Sequence, residues 1–287
     1  MQELFDTRLI LVRRLRALKD GDPSALFLMK RVAEDLEDRL STVGRRFGRA
    51  VSLYSFTDDA RRAVIASGRA EDAERLEADA AFLGGEPGIV GGPGGLPLAP
   101  ESIDLAVSLL SLHEVNDLPG LLIQIRRALK PDGLFLAAFP GAGTLSELRE
   151  SLLAAETELY GGASPRVIPF IDVRDAGALL QRAGLALPVS DIETLTVRYD
   201  TMFDLIRDLR ATGSTNALAD RSRRPGTRRL FRRAAEIYAE RFADPDGRIR
   251  ATFAIVWLSG WAPSPTQQKP LKPGSAKVSL KSVLGEK

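Results

Sequence analysis

Cysteine is absent from the 287 residues, which excludes thiolate catalysis, disulfides and cysteine-based zinc sites. Histidine occurs once, as His113, so a histidine-rich metal site is excluded and no metal ligand set is expected. Charge of one sign is also lacking: 40 Lys and Arg face 38 Asp and Glu. With little aromatic interleaving and no RNA-binding motif, nucleic acid is not an expected partner. No apolar run approaches the ~18 residues that a membrane span needs, so integral membrane association is not expected. The opening MQELFDTRLILVRRL mixes acids with arginines. That fits poorly with an organelle transit peptide, and a cytoplasmic location is the expectation.

What is present is the composition of an ordinary globular protein, 44% hydrophobic and 27% charged, with enough apolar residues for a sizeable core. The organising stretch is residues 101–141, ESIDLAVSLLSLHEVNDLPGLLIQIRRALKPDGLFLAAFPG. Residues 103–112 are nearly all apolar and suit a strand covered on both faces. Leu118, Leu121, Leu122, Ile125 and Leu129 follow at helical spacing, with Asn116 or Asp117 placed to cap. Lys130-Pro131-Asp132-Gly133 predicts a stop, and residues 134–139 a second buried strand. Strand, helix, strand at this spacing is a right-handed βαβ unit with parallel strands. Ligands of such sheets bind beyond the carboxyl ends of the strands, here near His113 and near residues 140–143.

Three parts are expected: a helical lead-in over 1–47, an α/β body over 48–262, and a Pro/Lys-rich tail over 263–287. In the lead-in, Leu11, Val12, Leu15 and Leu18 predict the apolar edge of a first helix. Leu26, Met29, Val32, Leu36 and Leu40 predict the inner face of the next. Residues 50–56 read as the first strand, followed by a helix through 61–65 that Thr57, Asp58 or Asp59 can cap. From 71 to 100 the pattern is poor. Residues 74–81 fit a short strand or a helix, and the glycines after them read as a linking loop without the ending of a phosphate cradle. Thr144 and Glu147 have capping-box spacing for a helix to 159. Helices are expected over 172–183, 201–211 and 227–242, and strands over 189–199 and 250–261. Arg221, Arg223, Arg224, Arg228, Arg229, Arg232 and Arg233 make either a solvated face or a dock for an acidic protein or anionic membrane surface.

The run SIDLAVSLLSLHEVNDLPGLLIQIRRALKPDGLFLAAF resembles the middle of a class I S-adenosylmethionine (SAM) methyltransferase. TLSELRESLLAAETELYGGASPRVIPF, DVRDAGALLQRAGL, VRYDTMFDLIRDLRATGSTNAL, ATFAIVWLSGW and the tail GSAKVSL are similar to one branch, mitochondrial complex I assembly factor 5 and its bacterial relatives. The match is close over about residues 102–280 and loose over 4–47. It implies an α/β, Rossmann-like class I methyltransferase fold with N-terminal helices and helical insertions in the C-terminal half.

The resemblance also implies a protein substrate or partner, such as a subunit of respiratory complex I. The action would be SAM-dependent methyl transfer or arginine hydroxylation. The alternative is a non-catalytic assembly or scaffold protein. For the cofactor, the family pattern places Asp79 on the ribose, and Leu112 and His113 at the ligand-facing end of a strand. Three glycines of the cofactor turn fall on Tyr54, Phe56 and Asp58, and the adenine acid falls on Gly92. With bulk and like charge at those positions, weak or absent SAM binding is the expectation. His113 reads either as a general base or positioning group, or as a local packer that sets the turn.

Overall fold

The computed structural model describes residues 3–223 and 225–267. Arg224 and the expected tail beyond residue 267 lie outside the described residues. Helices α1 (Thr7–Asp20) and α2 (Phe27–Ser41) lead into β1 (Ala50–Leu53), α3 (Asp59–Ala66), β2 (Ala73–Glu77) and β3 (Ile89–Val90). The central unit is β4 (Ile103–Leu109), α4 (Leu118–Ala128) and β5 (Leu129–Pro140). It is followed by α5 (Ser146–Tyr160), α6 (Val173–Arg182), β6 (Ala186–Tyr199), α7 (Met202–Ala211), α8 (Arg228–Phe242) and β7 (Ile249–Trp261).

The strands form one sheet in the order β3-β2-β1-β4-β5-β7-β6. The first five are parallel, and β7 runs antiparallel to both β5 and β6. One core lies between the sheet and α2, α3, α5, α7 and α8; a second lies under α4 and α6. This is the α/β architecture expected from the alternation of strands and helices. The order reverses between β1 and β4, and in such sheets that is where ligands bind. Among the described residues no helix is long and apolar enough to cross a membrane.

Several local expectations are corrected. In α1 the buried residues are Ile10 and Ala17, whereas Val12 and Leu18 face outward; the helix turns Arg13 and Arg14 inward instead, because both find partners there. The first strand stops at Leu53, and the second strand is Ala73–Glu77 rather than a helix or strand over 74–81. The helix does stop before 130–133, at Ala128, but this segment is a bulge inside β5 rather than a link ahead of it. Ile103 pairs with Leu129 and Leu105 with Leu134, and Asp132 takes a φ of 62° to absorb the extra residues. Thr144 does not cap α5. Leu145, at φ 53°, precedes the helix, and the Thr144 hydroxyl exchanges bonds with the backbone of Ala254 on β7. The capping-box Glu147 reaches Thr252 instead. Asp117 does cap α4 through Gly120 N–H, at 2.9 Å.

Two arginines of the basic segment are held within the fold, while Arg223, Arg228 and Arg229 are exposed. Arg221 pairs with Asp6 at 3.1 Å, and Arg233 is held by Glu158, Glu236 and Glu240.

Candidate functional site

The carboxyl ends of β1 and β4 are bound together by serines. Ser55 Oγ accepts from Leu109 N–H at 3.2 Å, Ser52 Oγ lies 3.1 Å from Ser55 Oγ, and Ser108 Oγ lies 3.1 Å from Ser111 Oγ. All four serines are buried, so this small polar network fixes the spacing of the switch point.

The turn leaving β1 holds Tyr54 at φ 52° and Phe56 at φ 62°. This left-handed region suits glycine and costs other residues about 1–2 kcal/mol. The backbone of a glycine turn is therefore present with aromatic side chains mounted on it, at the positions the sequence pattern indicated. Tyr54 is buried. Its burial, with the Glu77 carboxylate near it, pushes the phenol well above its ordinary range. Phe56 packs edge-on against Phe82, with centroids 5.7 Å apart. Asp58 precedes α3 and pairs with Arg62 at 2.8 Å.

Glu77, the last residue of β2, is 2% exposed and pairs with Arg75 at 3.1 Å. Burial raises its pKa to about 6 in spite of Arg75. Asp79, expected at the end of the second strand, lies two residues beyond it. It caps the 3-10 turn Ala80–Leu83 by accepting from Ala81 N–H at 2.9 Å. Gly92 sits in the exposed loop after β3, where a Cβ would meet nothing. Leu112 is 1% exposed and packs into the core under α4.

A cavity of about 810 Å³ opens at the switch point, between α1, α2, the β4 tip, α5 and α7, and Arg14 and Glu114 are on its wall. Of the site residues expected from the sequence, Phe56 and His113 line it; Tyr54, Asp58, Asp79, Gly92 and Leu112 do not. Its walls are mainly apolar, with Leu148, Ile206 and Phe253 among them, and its charged groups are of both signs, including Arg16, Asp22 and Asp208. His113 follows β4 in the short 3-10 turn Leu112–Glu114. Its Nδ1 is buried without a hydrogen-bond partner, and its ring lies 6.0 Å from that of Phe170. Burial lowers its pKa to about 4, outweighing the pull of Glu114. The imidazole is therefore neutral at pH 7 and can accept or donate one hydrogen bond. The Tyr199 hydroxyl, also on the wall, is another buried group without a partner.

Sequence reasoning missed three participants. Arg75 and Glu77 alternate with apolar neighbours at strand period, a signal that becomes readable once the second strand is placed at 73–77. Arg14 looked like part of a polar helix edge, but its Nη2 pairs with Glu114 Oε2 at 2.5 Å, across 100 residues of sequence. No local pattern announces that contact.

The residues present do not fit S-adenosylmethionine. The turn that should approach a ligand with bare backbone carries the Tyr54 and Phe56 side chains, and the Arg75–Glu77 pair is buried beside it. Asp79 turns to its own helix.

A family profile described as "Methyltransferase domain" matches residues 59–137. The Dictyostelium discoideum protein named "Arginine-hydroxylase NDUFAF5, mitochondrial" is 46% identical over 186 residues, covering 64% of this chain and 42% of its own length. The Mus musculus protein of the same name is 36% identical over 293 residues, covering 96% of this chain and 82% of its own. The chain belongs to the NDUFAF5 family. The resemblance to the complex I assembly factor branch of the class I methyltransferases is thus borne out. The matched stretch spans about half the length of several other NDUFAF5 proteins, 56% in Danio rerio and 52% in Homo sapiens. Among solved structures, the YcgJ protein of Bacillus subtilis superposes with a TM-score of 0.52 at 16% identity, over 80% of this chain and 98% of that one, a likeness of fold. The NDUFAF5 relatives are named as mitochondrial proteins, which overturns the cytoplasmic location expected from the opening residues.

Proposed function

We propose that this chain serves the assembly of respiratory complex I by receiving a segment of a protein client in the cavity beside His113. The observation that carries this reading is a roomy cavity at the switch point, lined by Phe56 and His113, beside a β1 turn where Tyr54, Arg75 and Glu77 are buried. Apolar walls suit the side chains of an extended segment. The unpartnered His113 Nδ1 and Tyr199 hydroxyl are positioned to bond its polar groups. SAM-dependent methyl transfer is not part of the proposal, because the crevice residues do not accommodate that cofactor.

The relatives' name, arginine-hydroxylase, favours a client arginine as the group received. Asp208 and Asp22 on the cavity wall supply carboxylates suited to a guanidinium. Burial holds the Asp208 carboxyl above its usual range.

A deletion strain complemented with variants tests this reading. Wild type should restore assembled complex I on native gels. Ile206→Trp, which narrows the cavity, should restore it at least about threefold less well, as expected for about 0.7 kcal/mol of lost binding. Normal complex I in the deletion strain would overturn the proposal. An oxygen-sized mass gain on a complex I arginine that vanishes in the deletion strain would add hydroxylation to the role.

A further inference from the structure

We propose that the chain supplies its own occupant for the crevice at the carboxyl ends of β1 and β2: Tyr54, Arg75 and Glu77 fill it from the floor, and Arg14 of α1 closes it from above through Glu114. Arg14 and Glu114 also line the cavity, but the inference stands whether or not that cavity takes a protein client.

The first support is the Glu77 carboxylate. Successive backbone N–H groups in a left-handed turn form an anion-binding concavity. Here the buried Glu77 carboxylate already stands beside that turn, held by Arg75 at 3.1 Å and near enough to act on the Tyr54 phenol. An internal carboxylate is therefore buried next to the turn that would receive the acid of a ligand. The second support is charge. Glu77 is balanced by Arg75 at 3.1 Å, with the two side chains 2% and 5% exposed, and it also feels Arg14. Arg14 in turn meets Glu114, and those side chains are 15% and 6% exposed. Two acids and two arginines thus form a row from β2 to the turn after β4, and the row leaves no net charge for an incoming ligand to satisfy.

The third support is strain. Two non-glycine residues at left-handed φ are kept only where the surroundings over-determine them. Tyr54 meets that condition, because its buried ring belongs to the core that holds Val51, Leu53 and Leu76. The fourth support is the anchorage of α1. Gly213, at φ 74°, lies against the Arg13 and Arg14 backbone, and Arg13 Nη1 donates to Thr215 O at 2.9 Å and to Asn216 O at 2.5 Å. Residues 4–6 pair with 217–219 through Asp6 N–H to Ala217 O and Ala219 N–H to Leu4 O. The helix that carries Arg14 is thus fastened shut on both sides.

The test is isothermal titration of the full chain with S-adenosylhomocysteine, followed by hydrogen exchange. Wild type should show no binding heat up to about 1 mM ligand, and Tyr54→Gly/Phe56→Gly should bind at least about tenfold tighter than wild type. Wild-type binding with a Kd below about 100 µM would overturn the proposal. So would a folded double variant that gains nothing. If the double variant does not fold, Arg14→Gln decides. Amide exchange across residues 7–20 should quicken at least about tenfold, and unchanged exchange there would overturn the closure by Arg14.

Discussion

The guanidinium of Arg14 lies 2.5 Å from the carboxylate of Glu114, and this one contact ties the first helix to the turn that follows the central strand β4. Both groups are largely withdrawn from water, so neither can be removed without leaving the other poorly solvated. Arg14→Ala should lower the unfolding free energy by about 2–4 kcal/mol, read from urea denaturation. Arg14→Ala combined with Glu114→Gln should cost less than the sum of the single changes, with a coupling of about 1–3 kcal/mol. Additive losses would mean that the pair contributes nothing to closure.

His113 makes stability depend on pH with a definite sign. Its folded pKa of about 4 lies below the 6.5 of a free imidazole. On acidification the unfolded chain takes up the proton first, so the contribution is full above pH 6.5 and is lost as pH falls towards 4. Between pH 7 and pH 5 the loss is about 2 kcal/mol. Glu77 works the other way, because its carboxyl is raised from 4.5 to about 6 and the folded state gains as pH falls through that window. Comparing His113→Gln with wild type at both pH values isolates the histidine. The variant should lose about 2 kcal/mol less than wild type on going from pH 7 to pH 5.

Asn116 holds the N-terminal strap. Its Oδ1 accepts from Phe5 N–H at 2.8 Å, and its Nδ2 donates to Phe5 O at 3.0 Å, across 111 residues of sequence. Asn116→Ala should cost about 1–2 kcal/mol. It should also speed amide exchange at Asp6, whose N–H bonds Ala217 O at 2.8 Å. Unchanged exchange at Asp6 would show that the strap is held by its backbone pairing alone.

Thr144 offers a parallel case at the other side of the sheet. Its hydroxyl accepts from Ala254 N–H at 3.0 Å and donates to Ala254 O at 3.1 Å, all buried. Thr144→Val keeps the shape and orphans the Ala254 N–H, while Ala254 O keeps its bond from Gly141 N–H at 2.7 Å, so the change should cost about 1–3 kcal/mol by urea denaturation. Were Thr144 a helix cap, Thr144→Ser would be neutral and the effect would be confined to α5. As a strand clamp, Thr144→Val should also expose β7 amides to exchange.

These residues show where sequence reasoning reached and where it stopped. The central βαβ unit was legible because 103–109 is apolar but for Asp104 and Ser108, 134–139 is an unbroken apolar run, and the helix between them has one apolar stripe. Of the three positions where the aligned pattern has glycine, Tyr54 and Phe56 take left-handed backbone and Asp58, at φ −81°, does not. β2 was obscured because Glu74, Arg75 and Glu77 read as solvent-facing, whereas two of them are buried as a pair. The capping box at Thr144 was misread because a hydroxyl with a glutamate three residues on is a local pattern, and here both side chains were claimed by β7 from more than 100 residues away. The inward face of α1 was decided by partners 100 and 202 residues away, Glu114 and the 215–216 turn. Period and propensity carry the elements; the site is assembled from long-range polar contacts that neither encodes.

The most direct test of the filled crevice is a crystal structure of the wild-type chain grown with about 1 mM S-adenosylhomocysteine. The Tyr54 ring should be found beside Glu77, with Arg14 on Glu114 and no nucleoside density between β1 and β2. Density for an adenosyl group there, with Tyr54 swung out and Asp79 turned onto the ribose, would contradict the account.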